Sequence, residues 1–183
     1  MAFLVETGAV VAGANAYLSV AQYRAHHTDR GKAALSSDVG QSDVLVQAAI
    51  VKATDYIDKR FGRRLRGTRK QSTQDLEYPR IDAWDDDEDR LPEMPGALLK
   101  ATAEYAWYAS QQTTDLAPVP DGTSGVVQES TEKVGPISTT VKFAERPMTS
   151  TGNLTESLRE YPEADLWMEE LIESSSVRRI VRG

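Results

Sequence analysis

The chain has no cysteine among its 183 residues, which excludes disulfides, thiolate metal sites and a thiol nucleophile and leaves the fold indifferent to redox compartment. Histidine is almost as scarce: His26 and His27 are the only two. Neighbouring side chains on a helix diverge by about 100°, so this pair lacks the i, i+4 spacing of a metal-binding couple. Near a helix C-terminus they read as surface histidines whose charged form suits the dipole. No Ser-His-Asp set has a local signature, and neither GxxxxGK(S/T) nor GxGxxG occurs. The expectation is therefore no enzyme, no metal and no cofactor.

Long apolar runs are also missing. The opening MAFLVETGAVVAGANAYLS has no basic leader and carries Glu6, so no signal peptide is expected, and the protein should be made and used without export. Apolar residues at 40% against 27% charged are ordinary for a globular domain, and the length suits one domain with an arm or tail.

The best-defined element is Pro92 to Gln111, PEMPGALLKATAEYAWYASQ. Pro95 suits the first helical position, and Leu98, Leu99, Ala101, Ala103, Tyr105, Ala106, Trp107, Tyr108 and Ala109 leave a polar stripe of only Lys100 and Glu104. Such a helix must be covered on several sides, and its role reads as purely structural. Ser19 and Gln22 have capping-box spacing and should open an earlier helix through about Arg30, ended by Gly31. Ser42 is a plausible N-cap for a helix of about 20 residues. In it Val46, Ala49, Ile50, Ala53, Ile57 and Phe61 recur at three and four, with Gly62 as the residue that ends it.

Further on, Leu76 to Arg80 should be extended, because the residue before a proline avoids the helical region. Residues 113–125 read as linker, and Val126–Lys133 with Ile137–Phe143 as two strands around Val134-Gly135-Pro136. Pro162 starts a last short helix with Leu166, Trp167, Leu171 and Ile172 on one side. The expected fold is mainly α: a compact bundle of about four helices with a projecting β-hairpin and an extended C-terminal tail. Its divisions are a helical core at 1–112, linker, hairpin and loop at 113–160, and a C-terminal helix with basic tail at 161–183.

Net charge is −7, and it comes in blocks. Lys59, Arg60, Arg63, Arg64, Arg66, Arg69 and Lys70 form a basic block of +7, followed over 71–93 by a block of −7. Two readings of the basic block stand side by side: charge pairing within the fold or at a subunit interface, and direct contact with DNA phosphates. Base stacking has little support there, since only Phe61 is near in sequence. Asp82, Asp85, Asp86, Asp87, Glu88 and Asp89 around Trp84 read as a solvated loop, a partner-facing or DNA-repelling surface, or a hard-cation site, though without the spacing of an EF-hand. The tail Val177, Arg178, Arg179, Ile180, Val181, Arg182 follows three serines; it reads either as a disordered terminus, the default for chain ends, or as a docking peptide that adds a strand to a partner's edge.

Several of these stretches together resemble a family of tailed-bacteriophage proteins. They are Gly13-Ala14-Asn15-x-Tyr17-x-Ser19-Val20-Ala21, Ala53-Thr54-Asp55-Tyr56-Ile57-Asp58, Leu76-x-Tyr78-Pro79-Arg80, Pro95-x-x-Leu98-x-Lys100-Ala101-Thr102-x-Glu104-x-Ala106, Lys133 to Ile137, Tyr161-Pro162 and the closing Val181-Arg182-Gly183. The set is similar to the small head-to-tail adaptor (connector, neck) proteins, including those labelled DnaT-like ssDNA-binding. The family more often has Trp where Tyr78 stands, and the acidic run after Arg80 is unusually dense.

The resemblance implies a structural virion protein at the neck, assembled in the host cytoplasm as a ring of about a dozen copies, the kind of closed head-to-tail assembly in which each subunit presents two different faces. Implied partners are further copies of itself, the portal protein docked by the 177–182 tail, a downstream tail or stopper protein, and genomic double-stranded DNA passing through the lumen, with no membrane. The alternative is a single-stranded DNA-binding accessory protein that uses Lys59 to Lys70.

Overall fold

The computed structural model describes residues 2–32, 42–111, 116, 129–134, 137–142 and 161–173. The chain divides into two units, Met1–Leu116 with Glu160–Gly183, and Ala117–Arg159. It is mainly helical, with four α-helices and a small two-stranded antiparallel hairpin among the described residues.

The first unit opens with a loop organised by one buried carboxylate. Glu6 Oε1 accepts from the backbone N–H of Thr7, Gly8 and Val10 at 2.8–3.0 Å, and Oε2 from Val11 at 2.9 Å. A charged acceptor surrounded by four amides can stay buried, because each bond to an ionised group is about twice as strong as a neutral one. Helix α1, Val20–Thr28, then starts on the expected capping box, with both Ser19–Gln22 bonds present. It ends two residues earlier than Arg30, and Gly31 takes the left-handed φ of +75° that turns the chain.

Helix α2, Asp43–Phe61, is capped by the Ser42 side chain and buries Val46, Ala49, Ile50, Ala53, Ile57 and Phe61, as their spacing requires. Gly62 does not end it in the left-handed way. Its φ is −46°, and the chain tightens into a 3-10 turn, Gly62–Arg64. The absent side chain matters instead for fit: a Cβ there would come within 3.1 Å of Glu77.

Strands β1, Thr68–Arg69, and β2, Arg80–Ile81, pair antiparallel. Gly67 sits before β1 with φ +73°, and a Cβ on it would lie 2.4 Å from the Ile81 carbonyl oxygen. The Tyr78–Pro79 bond is cis.

Helix α3, Gly96–Ser110, lies at the centre, with Pro95 as its N-cap rather than its first residue. It packs on α2 and on α4, Pro162–Glu169. Ala97, Ala101, Ala103, Ala106 and Ala109 are all buried, which lets the neighbouring backbones approach closely. In α4 the buried side is Ala164, Met168 and, just beyond, Leu171, spaced four and three apart. Leu166, expected on that side, is 64% exposed; at two residues from each buried neighbour it falls on the opposite face.

Asp165 fastens α4 to the body. It accepts from Arg60 Nη1 at 2.9 Å and Nη2 at 3.3 Å, from the Tyr161 amide at 2.9 Å, and from the Tyr105 hydroxyl. In the second unit, β3, Glu129–Val134, pairs with β4, Ile137–Lys142, in a register that sets Thr131 opposite Thr140. Val134, expected at the turn, pairs with Ile137 as the last residue of β3, while residues 126–128, 143 and the Gly135-Pro136 turn lie outside the described residues.

Candidate nucleic-acid interface and a buried histidine pair

The basic block does not stand free as a unit. Arg60 turns inward to Asp165, Lys59 lies 3.7 Å from Asp55, and Arg69 donates to the Gln74 carbonyl. Lys70 bonds the Gly8 carbonyl at 2.9 Å and Glu93 at 2.5 Å. Arg66 holds three partners: the Ile172 carbonyl at 3.1 Å, the Trp84 carbonyl at 2.8 Å and Asp86 at 2.5 Å. Arg63 and Arg64, on the 3-10 turn, are exposed. Neither guanidinium makes an ion pair or hydrogen bond among the described residues.

The backbone that carries this pair is fixed on both sides. Glu173 N donates to Arg64 O at 2.8 Å and Arg66 N to Leu171 O at 3.0 Å, with Leu65 bridging Ile172. From the other side Arg80, only 8% exposed, donates to the carbonyls of Leu65, Arg66 and Gly67 at 3.3, 2.9 and 2.7 Å and pairs with Glu77 at 3.0 Å. Three successive carbonyls on one guanidinium leave the segment just after the turn little freedom, as the planar fork of arginine favours. Nothing in the sequence marks Arg80 as this organiser, because apart from Glu77 its partners are backbone carbonyls.

The acidic run closes on itself. Asp85 Oδ1 accepts from Asp87 N and Asp89 N at 3.0 and 2.8 Å, its own N donates to Asp89 O at 2.9 Å, and Trp84 bridges Arg90. Asp86 reaches Arg66, and Asp82 lies 3.8 Å from Arg90. Asp87, Glu88 and Asp89 are exposed. Trp84, at the foot of this loop, is 51% exposed on a backbone clamped by Arg66 and the Arg90 bridge. Sequence reasoning sought an aromatic beside the basic block and found only Phe61; Trp84 is brought to it through Arg66, across 18 residues. The tail Val177 to Arg182 lies outside the described residues.

The histidines correct the surface reading. His27 is fully buried and the His26 side chain is 8% exposed. Their rings meet edge to face at 4.9 Å between centroids, because the end of α1 lies on α3 and side chains 100° apart can straddle one line of contact. His26 Nε2 is 2.7 Å from Glu104 Oε1 and Lys32 Nζ 3.4 Å from Glu104 Oε2. Glu104 is thus 3% exposed and engaged with both, so α3 is more than a structural helix. Burial alone would raise the Glu104 carboxyl, but the His26 hydrogen bond and the Lys32 charge carry it below its ordinary value. Burial lowers His27 to about 4, keeping it neutral. On α2, burial pushes Asp58 up to about 6 even though Tyr17 OH and Glu77 N donate to it.

A small helical body that holds two uncommitted arginines on a short turn, and whose Arg66, two residues on, ties down the backbone of an exposed indole, has the elements of a polyanion-binding protein, in which cations meet phosphate and a flat ring meets bases. Residues 1–183 match the model of the family described as "Putative DnaT-like ssDNA binding protein". The chain belongs to that family, and the membership points to DNA as a partner. No curated protein and no solved structure matches the chain.

The match overturns the head-to-tail adaptor reading. It rests on a single-stranded DNA-binding family and carries nothing of a virion neck, so the ring, the portal and the tail partners lose their support. The motifs behind the resemblance are largely those that build the body: the capping box before α1, the α2 face, the Pro79-Arg80 clamp and the α3 core. Such motifs report a shared fold, and a fold does not fix a function.

Proposed function

We propose that the protein binds single-stranded DNA, with Arg63 and Arg64 contacting phosphates and Trp84 stacking on a base. The observation that carries the reading is the family match over the full length. The geometry supports the residue choice. Of the seven cations in the basic block, the two on the 3-10 turn alone have no internal partner among the described residues; the turn's last carbonyl, on Arg64, is held by Glu173 N, and the segment that follows it is braced by Arg80. Asp87, Glu88 and Asp89 repel phosphate, so the strand's backbone runs on the arginine side of the indole and away from the loop tip. There is no base-edge reader in this arrangement, and binding is tolerant of sequence, as stacking and phosphate contacts are.

The test is fluorescence anisotropy with a labelled single-stranded oligonucleotide across a salt series. Each phosphate contact on a single strand contributes about −0.7 to the slope of log K against log salt, so Arg63→Ala with Arg64→Ala should flatten it by about 1.4. Trp84→Ala should weaken binding by about 1–3 kcal/mol with little change in slope. Wild-type protein with no measurable affinity at low salt removes the function. Binding that survives unchanged in all three substitutions removes these residues from it.

A further inference from the structure

We propose that His26, His27 and Glu104 form a binding site for a divalent first-row transition metal ion, with zinc as the natural probe. One ring nitrogen of each histidine and a carboxylate oxygen of Glu104 all lie within 4.8 Å of one another. Ligand atoms held about 2.0–2.1 Å from a tetrahedral zinc are separated by roughly 3.4 Å. Side-chain rotations of an ångström or so therefore close the set, without moving either helix. Two imidazoles and a carboxylate suit zinc, nickel or copper better than calcium or magnesium, which take oxygen ligands.

A second, independent feature is the state of His27. Its Nε2 is 3.2 Å from the Ala103 carbonyl oxygen, to which it donates. Its Nδ1 is buried with no hydrogen-bond partner among the described residues. A ligating histidine commonly donates its other ring N–H to a backbone carbonyl, which fixes the tautomer and leaves a lone pair for the metal. A buried nitrogen without a partner is otherwise a standing cost to the fold. Metal coordination to Nδ1 removes that cost.

An entry path is present as well. Glu104 lies at a cleft of about 650 Å³ whose walls include Arg30, Lys32, Glu163, Leu166, Trp167 and Glu170. Glu163 and Glu170 place negative charge where a cation arrives. Lys32 is the competitor, since its ammonium lies 3.4 Å from Glu104 Oε2 and 4.5 Å from the Trp107 ring centroid. The ion replaces the His26–Glu104 contact and displaces Lys32 toward Trp107 and solvent. With three protein ligands, at least one coordination position remains for water.

The experiment is titration of the full chain with zinc chloride by calorimetry, and with cobalt(II) by visible absorption, after removal of metals with chelator. The expected result is one ion per chain, with the cobalt spectrum of a four- or five-coordinate site. His26→Gln and Glu104→Gln should each weaken binding at least about 100-fold, beyond the 10–100-fold typical of losing a supporting partner of a ligand. Lys32→Gln should tighten it, which a merely structural Lys32 would not do. Asp85→Asn with Asp87→Asn should leave it unchanged. Circular dichroism of each variant checks that it is folded. No stoichiometric binding by the wild type, or binding lost with the Asp85 and Asp87 pair and kept in Glu104→Gln, overturns the proposal.

Discussion

Two buried groups make opposing contributions to stability across mildly acidic pH, and their near-cancellation can be tested. His27 has a folded pKa of about 4 against an ordinary 6.5. As pH falls below 6.5 the unfolded chain takes up a proton there and the folded chain does not, so stability is lost until pH passes the folded value. Asp58 has a folded pKa of about 6 against 3.8. Here the folded chain takes up the proton first, so stability rises as pH falls from about 6 toward 4 and declines as pH rises through the folded value. Between pH 6.5 and 4.5 each contributes about 2 kcal/mol, with opposite sign.

The wild-type contribution from the pair over that interval is therefore below about 1 kcal/mol. Asp58→Asn leaves the His27 loss uncompensated, and stability should fall about 2 kcal/mol further than in wild type between pH 6.5 and 4.5. His27→Gln should show the reverse, a relative gain of similar size on acidification. Glu104, held below its ordinary 4.5, begins to add its own loss at the lower edge of the window and adds most of it beneath. Urea unfolding at half-unit pH steps, with chelator present, gives the three curves, and subtracting wild type from each variant cancels the groups they share. An Asp58→Asn difference curve that is flat over this window would refute the protonation of Asp58 in the folded state, and a flat His27→Gln curve the neutrality of His27.

Two further substitutions probe how the body is held. Asp165→Ala removes the carboxylate shared by the half-buried Arg60 guanidinium, which keeps only the Tyr56 hydroxyl, and by the Tyr105 hydroxyl, and should cost about 1–3 kcal/mol in chemical denaturation, as leaving donors unsatisfied does; a cost under about 0.5 kcal/mol would show that α4 docks on Met168 and Leu171 without it. Gly67→Ala combines a left-handed φ, worth about 1–2 kcal/mol against an L side chain, with a Cβ 2.4 Å from the Ile81 carbonyl oxygen. It should lower the unfolding midpoint sharply, and a neutral result would mean that the β1–β2 pairing is readily displaced.

What could be read in the chain beforehand followed from periodicity and local chemistry. The helices 20–28, 43–61 and 96–110 announce themselves through caps and apolar spacing, and the mainly helical class follows from them. The errors lie where long-range partners decide. Leu166 and Met168 exchange roles because the phase of a two-turn helix is weakly constrained by eight residues. Gly62 does not end α2 in the left-handed way, and what its missing side chain leaves room for is Glu77, 15 positions on. The histidines and Glu104 are brought together across 78 positions, which no spacing rule within one helix can anticipate. The basic block was legible as charge, but which of its members are engaged depends on carbonyls, and a sequence does not display those. The adaptor resemblance does not hold for another reason: motifs that build a fold are shared across different tasks, and the family match is to a single-stranded DNA-binding family.

The Glu6 loop has a consequence for motion. Four consecutive-range amides converge on one carboxylate, and that side chain is their shared anchor. Residues 7 to 11 therefore cannot loosen one bond at a time: when the glutamate swings away, all four N–H groups meet water together. Opening there is a coupled event on the amide side, and the Lys70 bond to the Gly8 carbonyl is the tie that remains from the body when the carboxylate lets go.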